Sequence, residues 1–353
     1  MAMICKEIIS HILKLCSNVS FIPYYSYCEV LEPKTGYEND NGTAMRANFF
    51  VKGNDTFREI EKKDFEFSFG DDVQVNLKPN IEIFYKKNIS PLGCLYYLVR
   101  MDNNLNFSLY VNRTYYLLFR WKVENVLPPG QILKDLTYIR LLLGGYLTIH
   151  SSSFAKNEEE GYLVIAPSDT GKSLTALRAV NDGYFFLSED LTLLGKNGML
   201  WSIPYTSTLK HEKRKMKYKP ILLIASLFYY YKKPKPAFNQ LNAKLLDKSK
   251  TKKLFILERS KYNNVLIVDK KDDEALLAIK DKIFLLNKEE FNYIQNKGVV
   301  SYLYSSNIHK KLQKLENNLV KDLINKVEEV VIVKSKTALG FYEQIKKLIK
   351  HEI

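Results

Sequence analysis

The stretch from residue 161 to residue 194 constrains the fold of this chain more than any other. It opens on an apolar run at residues 162–165, which is typical of a strand buried on both faces. A loop that ends in Gly-Lys-Ser at residues 171–173 follows, then a helix-like segment and a second apolar run that ends in Glu189 and Asp190. A strand, a glycine-containing loop, a helix and a strand that ends in carboxylates predict an α/β fold with a site for a nucleoside triphosphate.

The residue types in this stretch suit the binding of phosphate groups. Backbone N–H groups at a helix N-terminus donate to phosphate oxygens, and the helix dipole favours their negative charge. Gly171 lets the backbone approach closely, Lys172 supplies a positive charge for the outer phosphates, and the Ser173 hydroxyl can bind Mg²⁺. Because Mg²⁺ also takes one or two carboxylates, we expect one of Glu189 and Asp190 to hold the metal and the other to accept a proton from an attacking hydroxyl.

The loop departs from the G-x-x-x-x-G-K-[ST] pattern at two positions. Ala166 stands first, where a positive φ would penalise alanine. Asp169 brings a negative charge into the loop, although aspartate tolerates the left-handed region better than most residues. Two alternatives to an active site therefore stay open. One is a chance Gly-Lys-Ser in a strand–turn–helix, and the other is a degenerate site that binds nucleotide without turnover.

A wider set of segments resembles the HPr kinase/phosphorylase family, which shares a fold with the ATP-dependent phosphoenolpyruvate carboxykinases. Members often carry LHAS, APSGxGKSTLA, GYxxLSDD and a PYP-like segment in that order. This chain carries, in the same order and at similar spacing, IHSS at 149–152, APSDTGKSLTA at 166–176, GYFFLSED at 183–190 and IPY at 203–205. The resemblance covers about residues 130–210, and LFILER at 254–259 is similar to a strand in such kinases.

The resemblance implies a kinase that transfers a phosphoryl group from ATP to a hydroxyl, and it assigns roles by position. Lys172 would hold the β- and γ-phosphates, Ser173 and Asp190 the Mg²⁺ ion, and Glu189 would be the catalytic base. His150 stands where the family has a histidine near the transferred phosphate; without the resemblance, such a histidine is more often a core or capping residue. The residues that would bind the nucleotide are Ser168, Asp169, Thr170, Gly171, Lys172, Ser173 and Leu174.

Three departures place the chain with outlying kinases rather than with the bifunctional carbon-control enzyme. Asp169 replaces the usual glycine, Glu189 replaces the first aspartate of the pair, and the LEIRGLG segment of true HPr kinases is absent from the sequence. Those outlying relatives phosphorylate serine on a small carrier protein, free serine, or a precursor peptide. The resemblance therefore implies serine as the acceptor.

Length and local pattern predict two domains in the 353 residues. Residues 1–127 are predicted to form a β-rich domain with a leading amphipathic helix, based on the spacing of Ile4, Ile8, Ile12 and Leu15. Residues 128–353 are predicted to form the kinase domain, with a boundary at Pro128-Pro129-Gly130 and a basic insert at about 208–253.

Further elements are predicted from periodicity. In the first part these are a hairpin over residues 65–77, strands near 81–85, 95–101, 107–111 and 115–123, and a helix over 132–146 that leads to His150 and a polar loop at 151–160. In the last third they are strands at 254–257, 265–268 and 330–333, and helices over 308–323 and 341–348.

Cysteine usage and hydropathy favour a cytoplasmic protein. The four cysteines, Cys5, Cys16, Cys28 and Cys94, show neither a C-x-x-C motif nor metal-ligand spacing, which fits a reducing compartment. The sequence has no apolar run near the ~18 residues of a membrane span and no signal-peptide pattern at residue 1.

Positive charge is concentrated in one window. Residues 210–253 contain fourteen Lys or Arg and two acids, and so carry +12 of the net +14. Aromatic residues lie between the basic clusters. A solvated surface insert explains this composition most simply, and attraction of an acidic protein or peptide comes next. Binding of nucleic acid or of an anionic membrane comes last, and no zinc, RRM or helix-turn-helix pattern supports nucleic acid.

The sequence thus predicts an α/β P-loop kinase domain of the HPr kinase/carboxykinase type preceded by a β-rich domain, with ATP and Mg²⁺ as its nucleotide and metal. A homo-oligomer is compatible with the resemblance, but no interface is recognisable. The remaining alternatives are a small-molecule kinase of the free-serine type, a non-catalytic nucleotide-binding protein and an ATPase associated with nucleic acid.

Overall fold

The chain folds as a mixed α/β protein in which two multi-stranded sheets share buried side chains. The computed structural model describes residues 3–22, 24–29, 31, 43–89, 93–118, 127–206, 243–291 and 296–350. Over those ranges no helix is long and apolar enough to cross a membrane.

The first sheet is built from residues before 113. Its strands run in the order β1-β2-β3-β8-β7-β6-β5-β4, and all neighbours are antiparallel except β2/β3 and β3/β8. The strands are β1 (Ile4–Ile9), β2 (Leu13–Ser17), β3 (Met45–Lys52), β4 (Phe67–Phe69), β5 (Val73–Asn76), β6 (Ile81–Ile89), β7 (Gly93–Met101) and β8 (Phe107–Asn112).

The second sheet carries the predicted site. Its order is β10-β9-β12-β13-β14-β16-β15, with β11 paired to β9, and β10 also pairs with β14, so that five strands close into a ring. The β10/β14 and β14/β16 ladders are parallel. The strands are β9 (Leu147–Ala155), β10 (Gly161–Ile165), β11 (Phe185–Ser188), β12 (Leu191–Leu194), β13 (Met199–Trp201), β14 (Lys248–Arg259), β15 (Asn264–Ile267) and β16 (Glu329–Ser335).

Helices cover both sheets and connect their strands. One follows β3 and one follows β8 in the first part, and the others belong to the second part. They are α1 (Asn54–Glu61), α2 (Arg113–Leu118), α3 (Pro129–Leu143), α4 (Lys172–Asn181), α5 (Asp273–Glu290), α6 (Lys297–Ser305), α7 (His309–Lys326) and α8 (Ala338–Lys350).

A single cluster of buried apolar side chains contains residues of both sheets. Hydrogen bonds between buried groups cross the same contact: Tyr25 Oη lies 3.1 Å from Thr137 Oγ1, and Tyr27 Oη lies 2.6 Å from Thr148 Oγ1. The two predicted domains are therefore joined by a continuous core. The boundary at residue 128 stays a prediction, and α3 begins at Pro129, next to it.

The leading amphipathic helix is wrong, because residues 4–17 form the β1–β2 hairpin. Every residue of β2 is buried, so this strand lies between β1 and β3 with both of its faces covered. A helix would bury only one stripe of such a segment. The chain reverses at Ser10 and His11, where His11 adopts a φ of 57°.

Cys5 and Cys16 lie directly opposite each other in this hairpin and form a disulfide. Their spacing in the sequence did not predict the pair, and the cytoplasmic location stays a prediction. Cys28 is buried and Cys94 is half-buried, and neither forms a disulfide within the described residues.

Two further predictions are wrong at their boundaries. Residues 113–118 are helical rather than the start of a strand, and the side chain of Asn112 accepts a hydrogen bond from Tyr115 N (3.2 Å) as a cap of the first turn. Residues 119–123 of that predicted strand lie outside the described ranges. Ser151, Ser152 and Ser153 belong to β9 rather than to a polar loop, and all three are buried. The Ser151 hydroxyl donates to Ile149 O of the same strand, the Ser152 hydroxyl donates to Glu189 O, and Ser153 Oγ lies 2.8 Å from Ser188 Oγ, so each hydroxyl has a buried partner.

The remaining elements are confirmed. The 65–77 hairpin corresponds to β4 and β5, the strands near 81–85, 95–101 and 107–111 correspond to β6, β7 and β8, and the helix over 132–146 corresponds to α3. In the last third, β14, β15, β16, α7 and α8 all lie where periodicity placed them. Most of the basic window, residues 210–242, lies outside the described residues.

The end of the basic window belongs to the second sheet, and the basic insert itself stays a prediction. Residues 248–253 form the first half of β14. There Lys252 Nζ lies 3.2 Å from Glu160 and Lys253 Nζ lies 2.9 Å from Glu329, while Lys250 pairs with Glu159. These lysines are thus held by carboxylates of their own chain.

Candidate functional site

The loop over residues 166–173 connects β10 to α4 at one edge of the second sheet. The strand β10 is buried along its whole length, as expected for a strand with neighbours on both sides and layers on both faces. Gly171 precedes the first residue of α4 and adopts a φ of 134°. The N-terminus of α4 therefore opens at the carboxyl end of β10, and the N–H groups of a helix N-terminus suit an anionic ligand.

The two unusual residues of the loop have different roles in its geometry. Asp169 has a φ of 60°, so it adopts the left-handed conformation that a glycine often supplies. Ala166 is not among the described residues with positive φ, and its side chain is fully buried. Ser168 and Asp169 are exposed, Thr170 is buried, and Leu174 is half-buried. The departures from the glycine pattern are thus accommodated without strain at Ala166.

Lys172 is folded against its own loop. Its Nζ donates to Ala166 O (2.8 Å) and to Pro167 O (3.3 Å), and only 6% of the residue is exposed. The two carbonyl oxygens hold the ammonium group inside the curve of the loop. A phosphate group bound there would compete with these carbonyl oxygens for the ammonium group.

The first turn of α8 forms a wall behind the loop. A Cβ atom added at Gly171 would lie 3.1 Å from Ala338 Cβ and 3.5 Å from Phe341 Cδ2. A side chain at this position would therefore require a shift of the loop or of α8, and it would also strain the backbone at this φ. The contribution of α8 could not be seen in the sequence, because nearly 170 residues separate it from the loop.

Glu189 follows β11 at the same edge and is completely buried. Its carbonyl oxygen accepts two hydrogen bonds, one from the Ser152 hydroxyl and one from the Ser173 hydroxyl at 3.5 Å. Behind it, Ser153 Oγ lies 2.8 Å from Ser188 Oγ, and Thr192 Oγ1 donates to Ser153 Oγ (3.0 Å). These hydroxyl contacts hold the backbone of Glu189, the first residue of the acidic pair, against β9 and the first turn of α4.

Asp190 and His150 face each other across two neighbouring strands. The Nε2 atom of His150 lies 3.4 Å from Asp190 Oδ1, and their side chains are 6% and 14% exposed. The Asp190 carbonyl also accepts from Ser151 N (3.0 Å). Among the described residues, His150 Nδ1 has no hydrogen-bond partner. A buried imidazole beside a carboxylate, with one nitrogen unsatisfied, is an unusual arrangement for a purely structural histidine.

Asn287 of α5 holds the backbone of His150 and was not predicted. Its Oδ1 accepts from His150 N (3.0 Å) and its Nδ2 donates to Thr148 O (3.1 Å). The amide thus supplies partners to two backbone groups of β9 that do not bond to a neighbouring strand. Its sequence context is apolar, FLLN at 284–287, and an asparagine that continues an apolar run was the available indication.

The structure thus brings Lys172, Ser173, Glu189, Asp190 and His150 to one edge of the second sheet. A hydroxyl and a carboxylate are hard oxygen donors of the kind Mg²⁺ prefers, so Ser173 and Asp190 suit a metal that arrives with a nucleotide. Within the part of the chain that the structure describes, no group of three or more His, Cys, Asp or Glu side chains is arranged to hold a metal ion.

Comparisons with known proteins give likenesses to solved structures only. No family model matches the chain, and no curated protein matches it. A solved structure of the Hpr(Ser) kinase/phosphatase from Coxiella burnetii aligns with 58% of this chain and 95% of its own, with 9% sequence identity and a TM-score of 0.23. At that score, fold and activity have to be inferred from the residues of this chain.

Proposed function

We propose that this chain is an ATP- and Mg²⁺-dependent kinase that transfers a phosphoryl group to a serine hydroxyl of a protein or precursor peptide. The observation that carries the proposal is the convergence of the 166–173 loop, the acidic pair and His150 at one edge of the second sheet. Three separate segments, 149–152, 166–176 and 183–190, supply these groups. A chance Gly-Lys-Ser sequence gives no reason for the other two segments to meet it.

In this proposal the loop binds the triphosphate. The backbone N–H groups at the start of α4 donate to phosphate oxygens, and Lys172 turns from the carbonyls of Ala166 and Pro167 toward the β- and γ-phosphates. Asp169 takes part through its backbone, since its side chain is exposed. Phosphoryl transfer depends mainly on positioning and on charge stabilisation, and a preformed loop provides both.

Ser173 and Asp190 are the proposed ligands of Mg²⁺, which when bound neutralises charge on the phosphate oxygens. The acceptor hydroxyl then forms a bond to the γ-phosphorus as the bond to the bridging oxygen of ADP breaks. Glu189 takes the hydroxyl proton in the assignment that the resemblance implies. His150 lies beside Asp190 and stabilises the orientation of its carboxylate.

One observation favours a second candidate, a nucleotide-binding protein without turnover. A catalytic base must come within hydrogen-bond reach of the hydroxyl that it deprotonates. Glu189 has no exposed surface in this conformation. If Glu189 stays covered when nucleotide binds, the site would hold ATP without activating an acceptor.

The decisive experiment uses the protein with Mg²⁺ and γ-labelled ATP in extract of its own host. Label is separated into protein or peptide, small molecules and free phosphate. Lys172→Ala removes the loop cation, and Lys310→Ala serves as a matched control because Lys310 is an exposed lysine of α7.

Label in protein or peptide that depends on Lys172 but not on Lys310 supports the proposal. Label in the low-mass fraction instead identifies a small-molecule kinase. Bound ATP without transfer identifies the second candidate, and transfer that survives Lys172→Ala contradicts the mechanism.

A further inference from the structure

Arg259 is the last residue of β14 and lies at the same edge of the second sheet as the 166–173 loop. The strands β10 and β14 are parallel neighbours, with Ile165 opposite Ile256. Their carboxyl ends therefore meet at one edge. Arg259 follows Ile256 by three residues and so extends beyond the point where β10 gives way to the loop.

The buried ring of Phe341 connects Arg259 to the loop. Phe341 Cδ2 would lie 3.5 Å from a Cβ at Gly171, and the Arg259 Cζ atom lies 5.6 Å from the centre of the same ring. The ring is fully buried, whereas Arg259 is exposed. The guanidinium group thus covers an aromatic ring that itself supports the start of α4.

The guanidinium group is held by one hydrogen bond, and its other N–H donors remain available for a ligand. Its Nη1 donates to Lys336 O (2.9 Å), which is its one hydrogen bond to the described residues. A guanidinium carries five N–H donors. No described carboxylate lies within 4.0 Å of it, and the adjacent Glu258 pairs instead with Lys282 and Lys334.

The group is also prepared for an anion. Stacking on an aromatic ring and a hydrogen bond to a main-chain carbonyl restrict the long side chain before any ligand arrives, which lowers the entropy cost of binding. The planar fork can then donate two parallel hydrogen bonds to an oxyanion.

We propose that Arg259 is a second phosphate-binding residue of this site, which donates to the phosphate oxygens of the nucleotide held by the 166–173 loop. The inference rests on the proposed nucleotide site and adds to it a cation from a strand that the Gly-Lys-Ser motif does not include. Phosphate oxygens would be held from two sides, by Lys172 within the loop and by Arg259 from β14.

The test compares binding of Mg·ATP and of Mg·tripolyphosphate by isothermal titration calorimetry. Arg259→Gln removes the charge but keeps a polar side chain, and Arg259→Lys keeps the charge without the fork. Lys250→Gln is the matched control, because it removes one charge from the opposite end of β14. Circular dichroism confirms that each variant is folded.

We expect Arg259→Gln to raise the Kd of both ligands by about five- to tenfold and by the same factor, and Arg259→Lys to raise it less. Lys250→Gln should bind as the wild type does. Unchanged Kd values in a folded Arg259→Gln variant overturn the assignment, as does weakening of ATP alone, which would mean a contact to the nucleoside.

The two proposals fail in different ways. If wild-type protein and Lys172→Ala both fail to bind Mg·ATP, the nucleotide site itself is wrong. If Lys172→Ala no longer binds Mg·ATP while Arg259→Gln still binds it, the nucleotide site is supported and only the role of Arg259 is wrong.

Discussion

At the scale of single residues, Gly171 shows how closely the 166–173 loop depends on its surroundings. It combines a φ of 134° with a wall of α8 atoms 3.1 Å from where a Cβ would lie. We expect Gly171→Ala to cost on the order of 1–3 kcal/mol in the free energy of unfolding and to abolish Mg·ATP binding, because the loop must move from α8.

Gly183→Ala is the matched control for this substitution. Gly183 also has a positive φ, 99°, but a Cβ there would meet nothing within 4 Å, and it lies beyond the other end of α4. Urea denaturation and calorimetric titration measure the two effects. If both variants bind nucleotide equally well, the contact between the loop and α8 does not shape the site.

The two carboxylates give a second prediction at this scale. If Glu189 is the base and Asp190 the metal ligand, Glu189→Gln removes transfer but leaves the Kd for Mg·ATP near the wild-type value. Asp190→Asn then weakens the dependence on Mg²⁺ and removes the negative charge that faces His150. Single-turnover transfer and Mg²⁺ titration separate the effects, and the reverse pattern would exchange the two roles.

At the scale of elements, the pairing of α4 with α8 keeps the loop and its wall together. Asp182 at the end of α4 accepts from Tyr342 Oη (2.5 Å) and lies 2.7 Å from Lys346 Nζ. The hydrogen bond from Lys346, then that from Tyr342, lowers the pKa of Asp182 below its ordinary value of 3.8. This pair is partly exposed, so its contribution is small and screened by salt.

The lowered pKa of Asp182 determines how the stability of the protein changes with pH. A carboxyl whose pKa is lower in the folded state stabilises the fold above the unfolded value, and the contribution is lost as pH falls through the folded value. We expect wild-type protein to exceed Asp182→Asn in urea stability at pH 6, and the difference to shrink below about pH 3.8. A difference that stays constant down to pH 2 would mean that the carboxylate charge does not link the helices.

At the scale of the whole molecule, α6 joins the first sheet to the rest of the core. A Cβ at Gly298 would lie 2.0 Å from Tyr97 Oη, which donates to Asn296 Oδ1 (2.8 Å), and 3.0 Å from Ile83. We expect Gly298→Ala to destabilise the protein by about 1–3 kcal/mol, because a buried tyrosine would have to leave its hydrogen bond.

Gly53→Ala is the control for that substitution, since a Cβ at Gly53 meets nothing within 4 Å. If the two sheets fold as one cooperative unit, the unfolding of Gly298→Ala should remain a single transition at a lower urea concentration. Two transitions in the wild type would show that the shared core does not couple the sheets.

The sequence determined those features that depend on neighbours along the chain. Five buried residues, a turn and a helix start are enough to specify β10, the 166–173 loop and α4, since periodicity and helix-end chemistry act over a few residues. The same holds for β14, β16 and α7, where apolar spacing predicted each element. The candidate residues of the site could therefore be named from the sequence.

Only the tertiary structure decided which of these residues meet. Residues 4–17 have helical spacing, but a helix would separate Cys5 and Cys16 by about 16 Å. Instead the segment forms a hairpin whose second strand pairs with β3, and in this hairpin the two cysteines are bonded. In the same way, Asn287 reaches His150, and α8 closes behind Gly171, across more than 130 residues. Such contacts follow from which strands pair and which helices pack, and these depend on burial summed over the whole chain rather than on any local pattern.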